Sequence, residues 1–540
     1  MHTGTRPVPA DAGERTVRVR RPIWLSATAL ACALAAIRLA LAIFADYDRV
    51  VGLFDDDAFY YFGVAAHVAG GDGSTFNGMD PTNGYHPLWL LLLVPVFSIA
   101  HGHAALVAVT LVSAGLFVAS ARQIDRIGAL TQRPALVTVC SAPLLVVGTA
   151  GPSFWFSGME TGLLLFALLW LAATYLRTEG FTAAGFGAGE ARVAGALMAL
   201  AVLSRLDAVF PMVLLGVLAL LSWRRAGLPW LRLGAWLAVF PVVVLAGYLA
   251  VNQALFGTPM PVSGQAKALG GAGGLNTDVV GQFLTSPVLF GQSTWLGAIG
   301  LVVVIGALTV KAGGALGRAA VFGAIVLGGG LLTVVYYAVT TSWQLWPWYF
   351  SAAPLAIALA GPALASRVRV PARGLVAIGV ILLVAATTSA NAVRSARGGV
   401  ARSAFIEAGP AVAAKIDALT PFGLPMAMGD RAGSLGFHLH RPLVHLEGLV
   451  NSAEYLDALR DGGVAKFLAA RDVALYARGD ASAGTPVAGE PGCVGFTEPQ
   501  QGGGTKFTVV VCDQDLLLTQ PLSDGTSYRV WRYRPNLQPG

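Results

Sequence analysis

Long apolar runs recur through the first three quarters of the chain, broken by short polar turns. They fall at 22–45, 104–121, 134–150, 160–176, 192–206, 208–222, 229–251, 295–310, 319–340, 349–365 and 374–391. A helix needs about 20 predominantly apolar residues to cross a bilayer, so the pattern predicts a mainly α, polytopic membrane protein with about 11 transmembrane helices. Residues 87–100 (PLWLLLLVPVFSIA) are equally apolar but short. They suit an interfacial or re-entrant helix inside a first loop of 46–103. Beyond residue 391 the pattern changes to charges, turn residues and amphipathic stretches. Val412–Leu419 and Ala453–Ala470 have helical periodicity, and Phe507–Cys512 and Tyr528–Tyr533 have the β-branched and aromatic content of strands. The expected organisation is a tail at 1–21, a membrane region at 22–391 and a small α/β domain at 392–540.

Charge gives this layout a direction. Arg6, Arg15, Arg18, Arg20 and Arg21 precede the first run. That run is longer than the core of a secretory signal, so it is expected to remain as a helix with its N-terminus in the cytoplasm. Alternating from there, every turn expected inside is basic: Arg122, Arg126 and Arg133; Arg177 and Arg192; Arg224, Arg225 and Arg232; Lys311 and Arg318; Arg367, Arg369 and Arg373. Turns expected outside hold Asp55, Asp56, Asp57, Glu160 and Asp207 with few cations. Cations gather on cytoplasmic loops, so the C-terminal domain is expected outside the cytoplasmic membrane.

Composition agrees. The 540 residues are 55% hydrophobic and 12% charged, against roughly 25% charged in a soluble chain. Disordered, coiled-coil, collagen-like and small disulfide-scaffold classes are excluded. The net charge of +7 belongs to the loops and implies no nucleic-acid partner. Among the 36 basic residues, only Lys267, Lys311, Lys415, Lys466 and Lys506 are lysines. With the Ala, Gly and Val richness, this preference for Arg points to GC-rich bacterial coding. Cys32 and Cys140 fall in spans as apolar fillers. Cys493 and Cys512 share the outer domain, where a bridge closing about 20 residues would contribute roughly 3 kcal/mol; paired and free states both remain open.

The informative segment follows the first run. Phe54-Asp55-Asp56-Asp57-Ala58-Phe59-Tyr60-Tyr61-Phe62 leads through Gly70-Gly71-Asp72-Gly73 to Thr82-Asn83-Gly84-Tyr85-His86-Pro87. Three adjacent carboxylates disfavour full ionisation, so at least one pKa is expected to rise. Such a carboxylate accepts protons near neutral pH. Alone, an Asp triplet is more often a solvated helix cap; the Gly-rich loop with Asn83 and His86, and the short apolar helix behind it, favour a site. A carboxylate triad can also hold Mg²⁺ or Ca²⁺.

This segment resembles the GT-C glycosyltransferases, polytopic enzymes that take a sugar from a polyprenyl-phosphate donor on the outer face. They carry Asp-Asp or Asp-Glu, then Ala and aromatics, in the first outer loop; Asp56-Asp57-Ala58-Phe59-Tyr60-Tyr61 is similar. The resemblance implies that the leading acid, Asp56, is the base, with Asp55 and Asp57 beside it and Tyr60 and Asn83 near substrate. The lipid A and protein O-mannosylation branches place Lys-Pro-Pro before the interfacial helix. Tyr85-His86-Pro87-Leu88 stands there instead, which implies that His86 substitutes for that cation. The motif likeness covers 54–89 and a looser one 20–390; Gly429–Gly433 and Leu446–Asn451 are similar to outer domains of some bacterial members. The implied activity is hexosyl or pentosyl transfer to a glycan, lipid or protein acceptor.

Other ionisable and aromatic positions expected on the outer side are weighed against plainer roles. Glu160 opens a helix, where the dipole favours an acid. Arg205 and Asp207 form either a structural ion pair or a functional one. Lys267 is a loop cation suited to a lipid phosphate, although solvated loop lysines are commoner. Trp348 and Tyr349 fit an aromatic belt as well as a sugar platform. There is no Walker A sequence, HExxH or CxxC, and His438, His440 and His445 lack the partners of a zinc site. The competing class is a transporter or lipid flippase, which usually shows internal repeats and mid-membrane charges; no repeat is evident.

Overall fold

The computed structural model describes residues 26–147, 154–269, 271, 273–287, 293–367, 404–419, 423–502 and 504–538. The tail at 1–21 and the span expected at 374–391 lie outside the described residues. Six helices among the described residues are long and apolar enough to cross a membrane: Ala27–Phe44, Gly102–Leu130, Leu206–Arg225, Trp230–Phe256, Gly314–Thr340 and Pro347–Ala365. Pro87–Ile99, Thr161–Arg177 and Leu296–Thr309 are shorter apolar helices. The molecule is a polytopic helical membrane protein. Burial separates the centre of the bundle from its rim: 78% of the Pro347–Ala365 window is buried against 6% for Trp230–Phe256.

Local chemistry explains the ends of several elements. Asp125 accepts from the backbone amides of Ala27 and Thr28 at 2.9 and 3.0 Å, and Ser26 caps Ala29 at 2.9 Å. Otherwise those amides would be unsatisfied at a helix start. Pro87 stands at the first position of Pro87–Ile99, where its missing N–H is harmless. The run expected as one span at 134–150 is a short helix, Pro134–Cys140, followed by a π-helical turn, Pro143–Val147. Pro143 cannot donate the bond that continues an α-helix. Helix Ala188–Ser204 stops as Arg205 turns extended, so the long side chain projects from a break between helices.

The C-terminal region contains helix Ala404–Leu419 and two sheets. Strands β1 (Met426–Met428), β2 (Leu443–His445) and β3 (Leu475–Arg478) pair in parallel, with β1 in the middle. After them come β4 (Thr485–Pro486), β5 (Cys493–Glu498), β6 (Phe507–Cys512), β7 (Leu516–Pro521) and β8 (Ser527–Arg532). The larger sheet runs β2-β1-β3-β8-β7, and β4-β5-β6 form an antiparallel sheet. Cys493 and Cys512 face each other across β5 and β6 and are bridged. The single helix expected at 453–470 is two, Ala453–Arg460 and Val464–Ala469. The break is Asp461-Gly462-Gly463, where Gly462 takes a positive φ of 75°.

The two regions share a core. Phe54, Phe59 and Phe62 of the first loop pack in one apolar cluster with Ile406, Leu435, Leu443 and Tyr528 of the C-terminal region. The helix Asp56–Gly70 and the short helix Gly433–His438 are in direct contact. This join positions the site.

Candidate functional site

Asp55 is the N-cap of helix Asp56–Gly70, and its amide donates to the Ser157 carbonyl at 3.1 Å. Successive helix residues diverge by about 100°, so the three acids point to three places. Asp55 acts electrostatically on the buried Arg38 guanidinium. Asp56 accepts from the amides of Gly433 and Ser434 at 2.9 and 2.8 Å. Asp57 faces a cleft. The triplet therefore does not converge on one cation, and among the described residues no three His, Cys, Asp or Glu side chains group to hold a metal. The expectation of Mg²⁺ or Ca²⁺ finds no ligand set there among the described residues.

The cleft is built on helical spacing. Asp57, Tyr60, Tyr61 and Val64 lie at i, i+3, i+4 and i+7 and line one wall. Gly84, Tyr85 and His86 add the turn before Pro87. Met159 and Glu160 arrive on the turn that begins at Ser157. Gly158 there has a φ of 80° and lies so close to Phe54 and Ala58 that a Cβ would meet them at 2.8 and 2.7 Å. Ser263 and Lys267, four apart on the helix Val262–Ala268, form a further side with Arg205, Trp348 and Tyr349. Leu449 and Val450 of the C-terminal region complete it.

The charges within the cleft differ in how fully they are engaged. Glu160, 1% exposed, accepts from Arg205 Nη1 at 2.9 Å and from the Tyr61 hydroxyl at 2.8 Å. Arg205 also donates from Nε and Nη2 to the two oxygens of Asp207 at 3.1 and 2.8 Å. All three guanidinium nitrogens thus have carboxylate partners. Lys267 Nζ donates to the Tyr349 hydroxyl at 3.1 Å. Burial opposes its charge, yet Tyr349 and Asp57 outweigh that and hold its pKa above the ordinary ammonium value. Burial pushes Asp57 up to about 6, with Lys267 opposing the rise. Burial pushes Asp56 up to about 7 against the pull of its two amides. His86 Nε2 lies 3.8 Å from Glu160, and burial lowers its pKa.

The sequence-predicted residues therefore divide. Asp57, Tyr60, His86, Glu160, Arg205, Lys267, Trp348 and Tyr349 line the cleft. Asp55, Asp56, Asn83 and Asp207 do not. Asp56, expected from the resemblance to be the proton acceptor, accepts backbone amides on both oxygens and does not line the cleft, whereas its neighbour Asp57 does. Asn83 is a clamp. It accepts from the Val262 amide at 2.9 Å and donates to the Met260 carbonyl at 3.3 Å, holding the segment that carries Lys267. Tyr61, Tyr85, Ser263, Leu449 and Val450 were not singled out by sequence. Tyr61 is legible as the helical neighbour of Asp57; Leu449 and Val450 lie in the Leu446–Asn451 stretch noted above, but nothing local there marks them as a wall of this cleft.

No protein-family model matches the sequence, and a search of curated proteins finds no match. Among solved structures, the crystal structure of ArnT from Cupriavidus metallidurans in the apo state aligns with a TM-score of 0.51 at 13% identity, over 94% of this chain and 98% of that one. The fold is the GT-C fold. The same ArnT bound to undecaprenyl phosphate aligns at 0.49 and 12% identity, over 84% of this chain and 92% of that one. The oligosaccharyltransferase AglB from Archaeoglobus fulgidus, in complex with an inhibitory peptide and a dolichol-phosphate, aligns at 0.47 and 10% identity, over 84% and 69%. At these identities the likeness is one of fold. Within this GT-C fold the cleft lies at the junction of the helical bundle and the C-terminal region, where the ionisable side chains gather.

Proposed function

We propose that the protein is a membrane glycosyltransferase that moves a hexose or pentose from a polyprenyl-phosphate donor to an acceptor hydroxyl on the outer face of the cytoplasmic membrane. The observation that carries this reading is that Asp57 and Lys267 line one cleft of a GT-C fold, close enough to act on each other electrostatically. A carboxylate whose pKa is raised to about 6 is a competent base near neutral pH. Ionised Asp57 takes the proton of the acceptor hydroxyl as that oxygen attacks the anomeric carbon. The bond from the anomeric carbon to the phosphate oxygen breaks, and polyprenyl phosphate leaves with the electron pair. Attack opposite the leaving group inverts the configuration. Lys267 meets the charge on the phosphate, because it retains donors while Arg205 is neutralised by Glu160 and Asp207.

Tyr60, Tyr61 and Trp348 give the sugar aromatic walls, and holding donor, acceptor and base together supplies much of the rate. The alternation of basic turns along the sequence supports a cytoplasmic N-terminus, with the cleft and C-terminal domain outside. The transporter alternative is less well supported, because ionisable side chains concentrate in the cleft and the fold match is to ArnT.

The test is transfer from labelled polyprenyl-phosphate mannose, glucose, galactose and arabinose to envelope glycolipid, with purified protein in lipid nanodiscs. Transfer from one donor, lost in Asp57→Asn, is the expected result. No transfer from any of the four, or full transfer by Asp57→Asn, would overturn the reading.

A further inference from the structure

We propose that Asp56 is a positioning residue that docks the C-terminal domain onto the membrane region and so sets one wall of the cleft beside Asp57. The inference rests on the glycosyl-transfer reading for its activity arm alone. Asp56 and Asp57 are neighbours in sequence but face different surfaces, one the seam between the two regions and the other the cleft. Both Asp56 oxygens accept amides from the C-terminal domain, so one carboxyl group ties two successive backbone donors across the seam.

Independent contacts follow the same seam. The Tyr60 hydroxyl and His445 Nε2 are hydrogen bonded at 3.1 Å. Arg471 of the C-terminal domain pairs with Asp80 of the first loop at 2.7 Å. The backbones approach so closely that a Cβ at Gly433 would overlap the Asp56 carbonyl oxygen, and one at Gly84 would overlap that of Leu449. Leu449 and Val450 reach the cleft on a turn that is internally braced. Tyr455 donates to the Leu446 carbonyl, and Asn451 donates to the His445 carbonyl at 3.1 Å. A braced turn is placed by how its whole domain docks. A displacement of about 1 Å in a reactive geometry costs on the order of 10²-fold in rate.

The experiment compares full-length wild type, Asp56→Asn and Gly433→Ala in nanodiscs, by hydrogen exchange and by transfer kinetics across pH. Asparagine keeps one acceptor but turns an NH₂ toward a backbone amide. Gly433→Ala keeps all three acid side chains in the sequence but drives a Cβ against the Asp56 backbone, opening the seam from its other side. Both variants are expected to exchange about tenfold faster at 433–438 and to lose on the order of 10–100-fold in kcat, with the pH midpoint of the wild type. Two results would overturn the proposal: loss of transfer in Asp56→Asn with exchange unchanged, or wild-type kcat in Gly433→Ala. If the wild type transfers no sugar, the glycosyl-transfer reading fails while the exchange arm still reports whether Asp56 docks the domain; wild-type exchange in both variants then overturns the docking.

Discussion

Arg205 donates to Glu160 at 2.9 Å, with the two side chains 3% and 1% exposed. Asp207 takes the other side of the same guanidinium. Removing the cation from such a network leaves buried carboxylates uncompensated, at about 3–5 kcal/mol. Arg205→Ala is therefore expected to destabilise the whole protein, read as a large fall in Tm in detergent. An unchanged Tm would mean the network is not structural. Arg205→Lys is expected to rescue little, since one ammonium cannot serve two carboxylates in fork geometry.

Asp57→Asn separates catalysis from stability. Transfer is expected to fall roughly 10²–10⁴-fold. Stability is expected to move the other way. The folded pKa of about 6 lies above the ordinary 3.8. The stabilising contribution of Asp57 is thus fully present below about 3.8 and lost as pH rises through about 6. At pH 8 the asparagine variant avoids burying a charge and is expected to be more stable by ~1 kcal/mol after allowance for solvent. Thermal unfolding at pH 4 and pH 8 checks this, with a difference expected only at the higher pH.

Protonation of the same group predicts the acid limb of the reaction. The wild-type rate is expected to fall tenfold per pH unit below a midpoint of about 6. Burial lowers His86 away from this range, while Asp56, pushed up to about 7, titrates within it. A pH–rate profile flat down to pH 4 would remove Asp57 as the base.

Lys267 and Asn83 should share a phenotype without touching the same atoms of substrate. Lys267→Ala is expected to raise the donor KM about tenfold, the size of one lost charge-assisted hydrogen bond. Asn83→Ala releases the Val262 amide and Met260 carbonyl that hold the Lys267 segment, and is expected to shift KM in the same direction by less. Donor titrations check both; an unchanged KM in Lys267→Ala would assign the phosphate elsewhere.

The Cys493–Cys512 bridge closes a sequence separation of 19. Loss of that constraint costs roughly 3 kcal/mol in the chain-entropy model. Cys512→Ser is expected to lower the unfolding midpoint of the C-terminal domain, measured by denaturant titration, while the helical bundle keeps its own.

Much of the architecture was legible along the chain. Membrane helices need only a local surplus of apolar side chains, so Gly102–Leu130 and Gly314–Thr340 are visible as hydropathy. β6 is visible as Phe507-Thr508-Val509-Val510-Val511-Cys512. β1, β2 and β3 were not, because they are three or four residues long and wholly buried, with no alternation to betray them.

The acid triplet marks the boundary between the two kinds of information. Adjacency alone made a shifted carboxylate expected, because like charges repel wherever the chain goes. Which acid faces the cleft depends on a partner 377 residues away, the Gly433 amide that takes Asp56. Helix rotation then leaves Asp57 for the cleft. Short-range physics is written residue by residue in this sequence; the division of labour between two neighbouring aspartates arises only when distant segments pack, because a hydrogen bond acts over a few ångströms of space and not along the chain.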